Sequence, residues 1–277
     1  MSKKTSYLIL APGLVLLLFF LILPLVSVIW PTFYDGGVTF NAYLEFFQDM
    51  YNVGILYRTI KISLIVTLIS ILFGVPTAYF IANSPKKWRG LLMSLTLFPL
   101  LTNSVVRSFA WINILGRTGI INNLMLASGL ISEPITLLYT EFAIIIGSFY
   151  LFLPVMIISL VGTFENIDTE IMEAAETLGA NRLTAFIKVI LPLSIPGVII
   201  GSILVFTGTL TAYTTPQLLG GNRNMMMSTF LYQNAMALGD WQSASVIALI
   251  MIVTTLLVMK VFNMIAAKLD KRGEKYA

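Results

Sequence analysis

Six apolar runs, each about 20 residues long, occur along the chain at positions 7–30, 59–82, 91–115, 142–162, 193–213 and 244–267. A helix of that length rises about 30 Å, the thickness of a bilayer's hydrocarbon core. Inside that core every backbone N–H and C=O must find a partner within the protein, which favours helices over open strands. The expected fold class is therefore all-α and integral to the membrane, with six transmembrane helices. Only 11% of the residues are charged, less than half the share of soluble domains.

The first run follows a basic leader, Lys3-Lys4, as a secretory signal does. It is too long for a signal's apolar region, and the chain runs on through Trp30-Pro31-Thr32-Phe33-Tyr34 with no small-residue cleavage site. It is read as a retained anchor.

With the N-terminus inside, the cytoplasmic segments hold Lys3, Lys4, Lys86, Lys87, Arg89, Arg182, Lys188, Lys268, Lys271, Arg272 and Lys275. The external ones hold Arg58, Lys61, Arg117 and Arg223. Eleven against four follows the positive-inside rule and places both termini in the cytoplasm. This distribution accounts for the pI of about 9.2 without a nucleic-acid partner. The chain has no Cys and no His, which excludes disulfides, thiolate or imidazole metal sites and Cys–His or Ser–His nucleophiles. It also lacks a G-x-x-x-x-G-K-[ST] loop, so ATP-driven work requires another subunit.

The external loop 31–57 is aromatic and mildly acidic, with Asp35, Glu45 and Asp49 and a turn at Asp35-Gly36-Gly37. It is either a connector on the membrane face or a docking surface. The short link 83–90, with Trp88 and three basic residues, makes the second and third spans antiparallel neighbours. The third span carries Pro99, which kinks a helix, then Thr102-Asn103-Ser104 and Arg107. A charge at that depth marks an interface or gating role, or else snorkels to the headgroups. The stretch 120–129 is apolar but too short to span, as a re-entrant or interfacial helix would be. Small and hydroxyl residues loosen the fifth span, from Thr207 to Pro216, and Gly220-Gly221 turns the chain beyond it.

The loop at about 163–192 holds two short helices. Asp168 is an N-cap, with Glu170 and Glu173 in the first turns. Ile171, Ala174, Ala175 and Leu178 share one apolar face. Gly179 stands where a left-handed residue ends a helix, and Asn181 caps the next one. In that second helix Leu183, Phe186, Ile187 and Ile190 repeat the spacing until Pro192 stops it. Helices this short need a surface, either the protein's own flank or another subunit.

Glu173-Ala174-Ala175, Gly179 and Val189-Ile190-Leu191-Pro192 together resemble the signature of ABC-importer permease subunits, with Val in place of Ile at 189. The stretches Ser63-Leu64 to Ala78-Tyr79 and Pro99 to Arg107 resemble the same family. Thr215-Pro216-Gln217-Leu218-Leu219-Gly220-Gly221 and Asp240-Trp241 are similar to its spermidine/putrescine branch, although Gln242 stands where that branch usually has Pro. The resemblance implies a type I importer fold, a single permease domain over 1–277 in the bacterial inner membrane. It also implies that Asp168 to Gly179 is a coupling helix seated on a cytoplasmic ATPase dimer. That dimer would use ATP and Mg while this chain binds no cofactor. A second related permease subunit and an extracellular or periplasmic solute-binding protein complete the implied assembly, embedded in membrane lipid.

The solute implied is a polyamine, with phosphonate, iron or thiamine as alternatives within the family. The candidate path residues are Asn103, Tyr150, Thr209 and Tyr213, each of which also reads as a helix-packing polar residue. An ion-coupled secondary transporter would place carboxylates deep in the spans, whereas Glu141 sits only at an edge.

Overall fold

The structure, a computed structural model, describes residues 11–34 and 39–269. Lys3 and Lys4, the turn Asp35-Gly36-Gly37 and the basic residues Lys271, Arg272 and Lys275 lie outside the described residues.

The regular elements of the described residues are helices, with an irregular stretch at 128–140. In order come α1 (Ala11–Phe33), α2 (Asn41–Gln48), α3 (Met50–Ala82), α4 (Lys86–Leu101), α5 (Ser104–Leu115) and α6 (Ile120–Ala127). They are followed by α7 (Glu141–Glu165), α8 (Thr169–Thr177), α9 (Arg182–Leu193) and α10 (Ile195–Thr211). The last are α11 (Thr214–Gly220), α12 (Met227–Tyr232), which continues as a wider π-type turn Gln233–Leu238, and α13 (Trp241–Leu269). Two compact units are interleaved in sequence: Met1–Gly54 with Phe230–Ile252, and Ile55–Thr229 with Val253–Ala277.

In the larger unit α7 is the hub. Its sequence is apolar on all sides, as a helix enclosed by others must be. Met156, Leu160 and Val161 on α7 pack with Ile62 and Val66 of α3 and Val205 of α10, all almost fully buried. Gly147 lets α11 approach closely, since a Cβ there would meet Leu219 Cδ1 at 2.5 Å. Hydroxyls in these helices mostly bond back to their own turn: Thr67 to Ser63 O, Thr96 to Leu92 O, Ser159 to Val155 O, Ser202 to Val198 O and Thr209 to Val205 O.

The six expected spans appear as four straight helices, α1, α3, α7 and α13, and two bent pairs. The third run was expected as one kinked span, but it breaks after Leu101 and turns by 90°. Pro99 stays inside α4. The break comes from the next residues: Thr102 and Asn103 are extended, and the Asn103 amide oxygen accepts Val105 N at 2.8 Å and Val106 N at 3.4 Å, which starts α5.

Pro192 does not stop the second loop helix. Phe186–Ile190 adopts a π-type register, which leaves room for the proline, and α9 runs on to Leu193. The chain then bends by 67° at Ser194, ahead of Pro196.

The second span starts earlier than its apolar run. Asp49 Oδ1 accepts Tyr51 N at 2.8 Å, and the 33-residue helix from Met50 is about 50 Å long. That exceeds the hydrocarbon core by about 20 Å.

Ion pairs tie α3 to α7 at one end, where Glu141 meets Arg58 at 3.3 Å and Lys61 at 2.5 Å. At the opposite end Arg89 Nη1 reaches Glu165 Oε1 at 2.7 Å and Nη2 donates to Ala82 O. These side chains are about a third exposed, so they fix register more than they add stability.

Candidate functional site

The loop joining α7 to α10 is built by its caps. Asp168 Oδ1 accepts Glu170 N at 3.0 Å and opens α8, with Glu170 in the first turn. Gly179 sits at φ +92°, the left-handed region. Two bonds close the helix there: Gly179 N to Glu176 O at 2.9 Å and Ala180 N to Ala175 O at 3.1 Å. This is a Schellman closure, and its outer acceptor is the second alanine of the Glu-Ala-Ala triplet. The fixed distance from triplet to glycine is thus the length of the capping motif. Asn181 Oδ1 then accepts Thr184 N at 2.8 Å to open α9.

The two helices divide their apolar residues between an inner and an outer side. Met172 of α8 and Phe186 of α9 pack on the core, and Ile190 is buried. Tyr79, near the end of α3, holds this floor with ring centroids 4.8 Å from Phe186 and 5.5 Å from Phe164. Ile171, Ala174 and Leu178 face outwards, together with Leu183 and Ile187. Leu178 is 89% exposed, the most exposed large apolar side chain described. Between the two helices and the core lies a cavity of about 650 Å³, and Asp168, Glu173 and Glu176 line it. Arg182 Nε meets Glu176 Oε1 at 3.3 Å, with Arg182 at the surface and Glu176 about a third exposed. The arrangement is a capped, two-helix knob with an apolar outer face and acidic flanks. Among the described residues no group of three or more carboxylates could hold a metal ion.

The four path candidates sit on separate elements. Asn103 caps α5 and is exposed, its amide oxygen committed to Val105 N and Val106 N. Tyr150 on α7 is half-buried and edge-on to Trp111 at 5.8 Å. Thr209 on α10 is fully buried, with its hydroxyl on Val205 O at 2.8 Å. Tyr213 is half-buried at the start of α11. Arg107 is buried rather than snorkelling: Nη1 donates to Pro99 O at 2.8 Å and Thr102 O at 3.2 Å, the carbonyls left over by the broken span.

Sequence reasoning did not find Asn122. It is fully buried, donates to Gly116 O and Ile135 O at 3.0 Å each and accepts Ile135 N at 2.9 Å. An asparagine pair, Asn122-Asn123, inside the apolar stretch 120–129 was the available signal.

Residues 70–275 match the family model described as the binding-protein-dependent transport system inner membrane component. The chain is 33% identical to the spermidine/putrescine transport system permease protein PotB of Haemophilus influenzae over 242 residues, 87% of this chain and 84% of that protein. It is 31% identical to the PotB protein of Escherichia coli over 236 residues, 85% and 86% of the two chains. A solved bacterial alginate ABC transporter, in complex with an alginate pentasaccharide-bound periplasmic protein, superposes with a TM-score of 0.80 over 97% of this chain and 96% of that one. Its 18% identity speaks for the fold alone. With several apolar spans and a glycine-closed two-helix loop inside the matched region, the chain belongs to the family of multi-pass inner-membrane permease subunits of ABC importers.

Proposed function

We propose that this permease imports a polyamine, with the Asp168–Gly179 helix as its contact to an ATPase subunit. The polyamine reading is supported by the PotB relatives, similar over most of both chains. The coupling reading is carried by one observation: Leu178 lies 89% exposed beside the rigid Gly179 turn, on the same side as Ile171 and Ala174. An apolar tip of that kind lowers its free energy by entering a groove of a partner.

In this reading the loop and both termini face the cytoplasm, as the basic residues of the loops favour. An ATP-binding subunit dimer receives α8 of this chain and of a second, related permease subunit. ATP and Mg are used there, and this chain holds no cofactor. A binding protein delivers the solute from outside, and the path runs between the two permease subunits. Asn103, Tyr150, Thr209 and Tyr213 are its proposed contributors from this chain.

Copurification with the ATPase and spermidine uptake test the reading together. Leu178→Asp should weaken retention of the ATPase about tenfold or more, because it exchanges apolar burial for a buried charge. Uptake should fall with it. Full retention and full uptake in that variant, or uptake by the permease without any ATPase, would overturn the assignment.

A further inference from the structure

The smaller unit contains a cleft of about 430 Å³, within the size range of small-molecule sites and remote in sequence from the coupling loop. Its rim carries three carboxylates: Glu45 on α2, Asp49 before α3 and Asp240 before α13. Phe46, Phe230, Val246 and Ile247 form an apolar lining. No Lys or Arg is among the described residues that line it, and none of the three carboxylates is ion-paired to a described residue.

Local geometry aims these groups at one space. α2 turns Ala42, Glu45 and Phe46 to the cleft, while Leu44 and Phe47 stay more than half exposed. Gly239, at φ +71°, reverses the chain so that Asp240 N returns to Asn234 O at 2.8 Å. This sets Asp240 beside Asn234, which lines the same cleft and is only 7% exposed. The Asn234 amide is oriented by its Nδ2, which donates to Phe230 O at 2.9 Å. Among the described residues its Oδ1 has no hydrogen-bond donor, and the residue lines the cleft. Asp49 and Asp240 each spend one oxygen capping a helix, on Tyr51 N and Ser243 N, and those helix ends offset part of their charge. Ser243, through its side chain and then its backbone, holds the Asp240 carboxyl below the usual range and therefore ionised. Glu45 accepts Asp49 N through its backbone carbonyl at 3.1 Å, and its carboxylate makes no hydrogen bond to a described residue.

The site therefore sets three carboxylates, with no cationic side chain among its described lining, beside the neutral polar groups of Asn52, Asn234, Gln242 and Ser243 and an apolar floor. A metal ion is a poor match, since no three carboxylates converge closely enough to hold one among the described residues. A chain with separated ammonium groups matches: each –NH₃⁺ has donors and no acceptor, and methylenes between them suit the phenylalanine and aliphatic floor. We propose that this cleft binds a linear alkyl-polyammonium ion, with its ammonium groups at Glu45, Asp49 and Asp240 and at Asn234 Oδ1, as a site where the solute is held on the permease itself. The proposal rests on the polyamine reading for its choice of ligand.

The test uses the assembled transporter in nanodiscs, without its binding protein, and spermidine as the probe. Saturable binding is expected, weakened about tenfold or more by Glu45→Gln with Asp49→Asn, as loss of charge-assisted hydrogen bonds implies. Asn caps a helix as well as Asp, so this pair leaves α3 capped. A second measurement leaves every carboxylate in place. The chain has no cysteine, so Asn52→Cys puts its single thiol in the cleft. Spermidine should slow maleimide labelling of that peptide several-fold, while an uncharged diol of equal length should not. Unchanged binding in the double variant together with unprotected Cys labelling would overturn the site. Spermidine uptake with the binding protein present is measured on the same complexes. Uptake by the wild type alongside an unprotected thiol removes the cleft and leaves the polyamine reading standing. Absence of uptake removes that reading, and the thiol still reports on the cleft.

Discussion

Arg107 Nη1 donates to Pro99 O at 2.8 Å and to Thr102 O at 3.2 Å, so one guanidinium spans the 90° break between α4 and α5. Helix ends within a membrane-spanning pair leave carbonyls that water does not reach, and a charged multi-donor side chain satisfies them. Arg107→Leu removes both bonds and leaves Thr102 O without a described donor, at a cost of about 1–3 kcal/mol, while Pro99 O keeps the Thr102 hydroxyl at 2.9 Å. A lowered melting temperature of the detergent-solubilised complex is the expected result, with partial recovery in Arg107→Lys. A leucine variant as stable as wild type would show that the bend holds without the bridge.

Gly179 makes a different prediction because no atom lies within 4 Å of where its Cβ would be. Any penalty there is conformational. Gly179→Val should cost about 1–2 kcal/mol in the left-handed region and disorder the end of α8, lowering transport. Gly179→Asn should transport nearly normally, since Asn tolerates that conformation. Uptake per transporter separates the two variants; equal uptake would remove the turn from the coupling argument.

The close approach of α7 and α11 is testable by filling it. In Gly147→Leu the new side chain meets Leu219 Cδ1 and Thr215 Cγ2, 2.5 and 2.9 Å from the Cβ position. Overpacking of this kind costs about 1–3 kcal/mol. Leu219→Ala in the same chain should recover part of it, giving a non-additive double-mutant cycle in thermal stability. Additive effects would place the clash elsewhere.

Asn122 fixes the segment after α5 by three hydrogen bonds at 0% exposure. Asn122→Leu should leave the Ile135 N–H and C=O unpaired, at about 1–3 kcal/mol apiece, while Gly116 O keeps Gly119 N as a donor. Limited proteolysis is expected to cut near Ile135 faster in that variant, with the remaining spans unaffected. Unchanged cleavage would assign the segment's order to other contacts.

The helix pair of the loop was legible because its signals are local. Asp168 and Asn181 cap, Gly179 turns, and each acts within a few residues of its own position. The division of its apolar residues was not legible. Periodicity put Ile171, Ala174, Ala175 and Leu178 on one face, yet whether that face meets the core depends on Tyr79 and Phe164, far away in sequence. The place where the third span breaks was not legible for a related reason. Pro99 carries the stronger breaking propensity, but the capping oxygen of Asn103 decides where the chain turns. Asn103 and Thr209 also looked alike as polar residues in apolar runs. One is an exposed cap, and the other is a buried hydroxyl bonded to its own helix. Nothing in their spacing separates those two fates.

The hydroxyls that bond back to their own turns give the bundle a mechanical character. Thr67, Thr96, Ser159, Ser202 and Thr209 place no polar cross-links between neighbouring helices through those bonds. Apolar surfaces in contact can shear by small steps without breaking a directional bond at each one. The ion pairs at Glu141 and Glu165 are directional ties at the two ends of α7, and these hydroxyls add none between them.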